Sequence, residues 1–300
     1  MVYNKTKFMP PTNLGASKAH CLESDLEGLL LSSEASSIKD ILCMLQTCRQ
    51  RKNVISAKFL YSSICGQALL NDSSIGNHLV PVFVDCGCLQ YAELVFSILS
   101  HRNEHSWTSL ILGYARNEQL HHAFRLYQKM QENSIIPTSY TLVGLLQSCA
   151  QSQSIGFGQE IHLEVVQKGL DEDLFIHSSL LDMYVKCGLV FDGQEVFNRS
   201  SNRDVVLWTA LIAGYAEHGP FKTAVNCFEK MQDEGVLPNT FTFSCVLKAC
   251  GKKGLIDEGH GMHMHITCKG CERDFFLGKS IVSMYVKCGA LSDAWGVFIK

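Results

Sequence analysis

The chain has 300 residues, 46% of them apolar and 18% charged, a composition of folded protein that excludes a disordered or low-complexity chain. No apolar run reaches the roughly 18–20 residues a membrane span needs, the longest candidate running from Val205 to Ala216. A formal net charge of −3 argues against a generic polyanion binder, which carries a clear basic excess.

The first 37 residues stand apart. Lys5, Lys7 and Lys18 precede the first acid, Glu23, and Pro10-Pro11 breaks the segment. This leader reads either as a weak organelle-transit signature or as an N-terminal tail. From residue 38 the chain repeats. Cys48, Cys149 and Cys250 lie 101 residues apart, as do Cys86, Cys187 and Cys288, so six of the fourteen cysteines follow one period. Shifted by 101, the stretch His105–Thr138 falls on Val206–Asn239, and the stretches from Tyr140 and His177 fall on those from Phe241 and Gly278. The block divides into parts of 35, 35 and 31 residues, with weaker copies at 38–72 and 73–103, then 104–138, 139–173, 174–204, 205–239, 240–274 and a partial copy at 275–300.

Each part reads as two helices. In 205–239 the first carries Trp208, Leu211, Ile212 and Tyr215 at helical spacing, and the second repeats the stripe at Ala224, Cys227, Phe228 and Met231. Gly219 supplies the turn, Gly235 a C-terminal cap, and Pro238 prevents continuation. A hairpin of this size cannot bury its own apolar face, so copies must share a core. The expected fold is therefore all-α, an α-solenoid of stacked helical hairpins with about fifteen helices. Lys300 falls 26 residues into a 31-residue part, so the reading expects a truncated array or a partner that covers its end.

The repeats resemble pentatricopeptide repeats of the plant PLS type, which alternates a P motif with L and S variants. The strings that carry the resemblance are WTALIAGYAEHG and FEKMQDEGVLPN for P, FTFSCVLKACGKKGLIDEGHGMH for L, and LLDMYVKCGLVFDGQEVF for S, and it covers about 38–300. Tetratricopeptide repeats, the nearest competitor, lack the alternating short unit. The resemblance implies binding of single-stranded RNA in a plant mitochondrion or chloroplast, the mitochondrion ahead, with one motif per base. It implies a specificity factor in RNA editing or transcript processing, with no cofactor, no catalysis of its own, no membrane partner, and an editing or processing enzyme acting in trans.

In that family the second residue of a motif stacks on a base, while the fifth and last read its edge. The second positions here are Ser74, His105, Tyr140, Phe175, Val206, Phe241 and Phe276, of which the last five suit stacking. An apolar second position also serves plain packing between repeats. The reader pairs are Asn77 with Asn103 for a pyrimidine, Thr108 with Thr138 for a purine, Ser178 with Asp204 for guanine, and Thr209 with Asn239 for adenine. The L motifs offer Leu42 with Asp72, Val143 with Asp173, and Ser244 with Asp274; Leu42 and Val143 cannot bond a base edge and act as spacers. Lys279 stands at the fifth position of the last motif, without a partner.

Other chemistry fits poorly. Cys268 and Cys271 form a CxxC below His260, His263 and His265, and as helical positions one turn apart they could share zinc with one histidine. Packing is the better reading, since His263 matches His162 on the period. His162-Leu-Glu164 followed by that CxxC imitates a zinc-deaminase signature, but Thr267 stands where proline belongs and the gap exceeds a hundred residues. No DYW-type deaminase domain or E-type extension is read in the chain. Cys86 belongs to the repeat period, Cys88 has no base marked nearby, and no Gly-rich phosphate loop, HExxH or GxSxG occurs. The alternative reading is a helical protein–protein scaffold, or a remnant of a longer array, that does not bind RNA.

Overall fold

The computed structural model describes residues 38–66, 69, 73–170, 173–271 and 274–299. The leader at 1–37 and Asp72 lie outside them. Every regular element among the described residues is a helix, sixteen in all, and no strand occurs there. The chain divides into two compact units, Met1–Gly113 and Tyr114–Lys300.

The first unit holds α1 (Ile38–Arg51), α2 (Val54–Gly66), α3 (Ser73–Asp85), α4 (Leu89–Ile98) and most of α5 (Glu104–Arg116). The second opens with the end of α5 and continues through α6 (Leu120–Glu132), α7 (Ser139–Ser152), α8 (Ile155–Gln167), α9 (Leu174–Lys186), α10 (Val190–Arg199), α11 (Val205–His218) and α12 (Phe221–Asp233). It closes with α13 (Thr240–Lys253), α14 (Ile256–Cys268), α15 (Phe275–Lys287) and α16 (Leu291–Phe298). Each motif contributes one hairpin, and the eighth supplies both of its helices, which accounts for sixteen rather than fifteen.

In the second unit the first helices of successive motifs, α7, α9, α11, α13 and α15, pack side by side in one row. The second helices α8, α10, α12 and α14 each pack on their own first helix and on the first helix that follows. This is the α-solenoid architecture, and its core lies between the rows. The expected stripes are the buried faces: Trp208, Leu211, Ile212 and Tyr215 on α11, and Ala224, Cys227, Phe228 and Met231 on α12. Helix α13 repeats the pattern with Phe243, Val246, Leu247 and Cys250. In the first unit α1 and α3 pack in the same way.

Two contacts recur with the repeat. At the junction from an S to a P motif, Phe197 meets Trp208 edge to face at 4.6 Å, and the Arg203 guanidinium covers Phe197 at 5.0 Å. The first unit builds the same cluster from Phe96, Trp107 and Arg102, at 4.6 and 5.1 Å. The second contact is a close approach of helices. A Cβ added at Gly214 on α11 would lie 2.7 Å from the Val185 side chain on α9, and one at Gly113 on α5 would lie 2.8 Å from Val84 on α3. Valine is stiff at χ1 and cannot swing aside, so glycine lets the two backbones meet.

Gly214→Ala is therefore expected to lower stability by about 1–3 kcal/mol through overpacking. Gly261, exposed on α14 with nothing within 4 Å of an added Cβ, is the control. Gly261→Ala is expected to raise stability by about 0.4–1 kcal/mol by reducing unfolded-state freedom. Urea unfolding of the two variants checks both signs.

Candidate nucleic-acid interface

Helical amphipathicity puts a motif's fourth, seventh, eighth and eleventh residues in the core, which leaves its second residue on the outer side of the first turn. In the second unit all five second positions are exposed: Tyr140 at 63%, Phe175 at 74%, Val206 at 57%, Phe241 at 64% and Phe276 at 47%. Four of the five are aromatic, so the row of first helices carries large apolar side chains that its own packing does not use. The rings of Phe241 and Phe276, from consecutive motifs, are 13° from parallel with centroids 6.2 Å apart. The Arg116 guanidinium donates to the Tyr140 hydroxyl at 3.4 Å. In the first unit the second positions are Ser74 and His105, also exposed.

In the second unit the last residue of a motif, Thr138, Asp173, Asp204, Asn239 or Asp274, is the N-cap of the next first helix. The Asp204 carboxylate accepts the Val206 and Leu207 amides at 3.0 Å, and Asp274 accepts those of Phe276 and Leu277 at 2.9 and 3.0 Å. Asp173 caps α9 in the same way, and its other oxygen accepts the Ser139 hydroxyl at 2.7 Å. That bond, aided by the amides, holds its carboxyl below the usual carboxylate range against the opposing effect of burial. Asn239 forms a capping box with Thr242 on α13. Thr138 caps α7 through its position alone, with its hydroxyl 3.3 Å from that of Thr141.

The fifth residues lie deeper. Asn77, Thr108 and Thr209 are buried, while Ser178 and Ser244 are half-buried. Two reader pairs are joined by hydrogen bonds. The Asn103 backbone N–H donates to Asn77 Oδ1 at 3.2 Å, and Asn77 Nδ2 donates to the Ser73 and His101 carbonyls at 2.7 and 3.0 Å. Asn103 also accepts the Ser106 amide at 2.9 Å. Thr209 and Asn239 are linked through Thr242, whose hydroxyl is 2.7 Å from that of Thr209 and 3.0 Å from Asn239 Oδ1. By contrast, the Ser178 hydroxyl donates to the Phe175 carbonyl at 3.1 Å while Asp204 caps the next helix. Ser244 pairs with Ser280 at 2.9 Å, away from Asp274. Thr108 and Thr138 fall in different compact units.

A feature the sequence reading missed is a local cluster of lysines. Ser244, Lys248, Phe276, Lys279 and Lys287 are among the residues lining a groove of about 250 Å³ on α13 and α15. Lys248 and Lys252 both reach Glu217, at 3.0 Å to its carboxylate and 3.2 Å to its carbonyl, and the Lys248 bond holds the Glu217 carboxyl below its ordinary range. Lysines at positions 248 and 252, one helical turn apart, were the available signal.

Among the described residues the periodic cysteines are packing positions. Cys149 and Cys250 are fully buried in their first helices, and burial pushes both thiols up to about 12. Cys288 donates to the Cys250 carbonyl at 3.7 Å, as Cys86 does to that of Cys48 at 4.0 Å. The CxxC is not the helical turn expected from its spacing. Cys268 ends α14, Gly270 follows at a φ of 68°, and the Cys271 amide returns to the Ile266 carbonyl at 3.1 Å. Among the described residues no three His, Cys, Asp or Glu side chains come together as a metal site would need. His162 and His263 instead bond the Tyr184 and Tyr285 hydroxyls, at 2.8 and 2.9 Å.

These features define a helical-repeat protein whose row of first helices presents exposed rings beside polar capping residues. A model described as the PPR repeat family matches residues 102–151 and 203–274, and a second, the PPR repeat, matches 175–205. The chain belongs to this pentatricopeptide repeat family. It is similar to a chloroplastic pentatricopeptide repeat-containing protein of Arabidopsis thaliana, 30% identical over 258 residues covering 86% of this chain and 42% of that protein. It is also similar to a mitochondrial one from the same plant, 37% identical over 220 residues covering 67% of this chain and 24% of the relative. The chain thus spans less than half the length of either relative. In fold it resembles the crystal structure of the pentatricopeptide repeat protein PPR10 in complex with an 18-nt psaJ RNA element, with a TM-score of 0.73, 18% identity, and coverage of 94% of this chain and 42% of that one. PPR10 from maize matches with a TM-score of 0.58 at 14% identity, over 92% of this chain and 45% of that one.

Thiol exposure gives a direct check. With thiolate formation suppressed by burial, Cys149 and Cys250 are expected to be alkylated by iodoacetamide at about pH 8 far more slowly than the exposed Cys43 and Cys268. Peptide mass mapping over time reads the order, and equal rates in the native protein would contradict it.

Proposed function

We propose that the chain is a sequence-selective single-stranded RNA-binding protein that acts as a specificity factor in organellar RNA editing or transcript processing. It performs no catalytic step itself; an editing or processing enzyme acts in trans. The observation that carries this reading is the exposed row Tyr140, Phe175, Val206, Phe241 and Phe276 on successive first helices, each two residues beyond a polar capping residue. A base stacked on an aromatic side chain gains about 1–3 kcal/mol, so such a row binds a single strand without a large overall charge. Lys248, Lys252, Lys279 and Lys287 supply local attraction for phosphates despite the net −3.

The motifs follow the PLS alternation over 38–300, and no part of that span reads as a DYW-type deaminase. In this reading Thr209 with Asn239 selects adenine, Ser178 with Asp204 guanine, Asn77 with Asn103 a pyrimidine, and Thr108 with Thr138 a purine. Ser244 with Asp274 reads weakly, and Leu42 and Val143 mark spacers. The partner RNA named in the PPR10 complex supports the ligand class, and the chloroplastic and mitochondrial relatives support an organellar location.

The test is a change of base preference. Asn239→Asp replaces an amide donor by an acceptor and is expected to move the preference of that motif from A towards G. Binding is measured with two RNAs differing only at that base. Equal affinity for both RNAs, before and after the substitution, rules out base reading and leaves the scaffold alternative.

A further inference from the structure

The reader pair of the second P motif is not made of two independent side chains. Asn239 Oδ1 accepts the backbone N–H of Thr242 at 2.9 Å, and a backbone N–H requires an oxygen there. The amide therefore cannot be flipped, and Nδ2 is the group turned the other way. The Thr242 hydroxyl lies 3.0 Å from the same Oδ1, an acceptor, so its single proton goes to Asn239. It also accepts the Asn239 N–H at 3.3 Å. The Thr209 hydroxyl, 2.7 Å from that of Thr242, must then be the donor in their bond. Its remaining capacity is a lone pair. Asn239 is exposed, and its Nδ2 has no hydrogen-bond partner among the described residues.

We infer that Thr242, the third residue of the following motif, sets the hydrogen-bond polarity of the Thr209/Asn239 pair and so acts as a positioning residue for base selection. This rests on the RNA-binding reading. With Thr242 in place, the pair offers an acceptor at Thr209 and donors at Asn239. Adenine presents an amino donor beside a ring-nitrogen acceptor on its Watson–Crick edge, which matches that order. Guanine presents an oxygen acceptor beside an N–H donor, which reverses it. Without the Thr242 hydroxyl, the Thr209 proton turns freely and Thr209 serves either order. Thr242 is completely buried, so its influence on a base runs through the two readers alone.

Thr242→Val removes the hydroxyl and keeps the branched shape. The ratio of affinities for two RNAs with A or G opposite this motif is expected to fall about fivefold, the worth of one net hydrogen bond. The ratio at the base opposite Ser178/Asp204 is expected to stay unchanged. Thr242→Ser retains the hydroxyl and is expected to keep the wild-type ratio. Should Thr242→Val fail to fold by circular dichroism melting, Thr242→Ala removes the same hydroxyl with less bulk. If the wild type discriminates A from G and the hydroxyl-free variant discriminates equally well, Thr242 has no positioning role and the RNA-binding reading stands. If the wild type itself does not discriminate at that base, the reading beneath the inference fails and the inference falls with it.

Discussion

The second unit depends on one interaction made four times over, the side-chain capping of a first helix by the residue that ends the motif before it. The first turn of a helix leaves backbone N–H groups without internal partners, and a side-chain oxygen at the N-cap position answers them. In this chain Asp173, Asp204, Asn239 and Asp274 do so. The cap ties the register of one hairpin to the start of the next, so the motif boundary is a physical joint. It also decides what the boundary residue can offer elsewhere. An aspartate that caps with one oxygen keeps the other, as Asp204 does, unless a neighbour such as Ser139 takes it, as at Asp173. An asparagine that caps through oxygen keeps only its amino group.

Much of this is legible in the sequence. The apolar stripes at 208–215 and 224–231 became buried faces because hairpins of that length have nowhere else to put them. Gly235, expected at a C-terminal cap, adopts a φ of 78° there. The exposure of the second positions follows from the same periodicity, since a residue two places before the stripe begins faces outward. Other features depended on atoms far apart in sequence. Nothing in the one-dimensional pattern joins Thr209 to Thr242, or Lys248 and Lys252 to Glu217. The packing reading of the CxxC did not need its helical placement, and that placement differs: the helix ends at Cys268 and a left-handed glycine turns the chain. Nor does the one-dimensional pattern show that the Asn77 side chain bonds Ser73, His101 and Asn103.

Net charge and cysteine count, the two compositional oddities, resolve at the level of position. A total of −3 coexists with lysines gathered on α13 and α15, because the acids lie largely elsewhere and Glu217 answers only part of the cluster. The periodic thiols at 149 and 250 are core atoms: burial holds them protonated, and sulfur fills space where first helices meet.

The contact between Gly214 and Val185 has a consequence for measurement along a polymer. Glycine draws α11 against α9 and fixes the step from one first helix to the next. In a row of such steps errors do not average out; they accumulate like phase error along a vernier scale. A small widening at one joint leaves every motif locally intact yet displaces all later ones against any ligand that keeps its own spacing. The smallest side chain in the row thus controls whether distant positions stay in step.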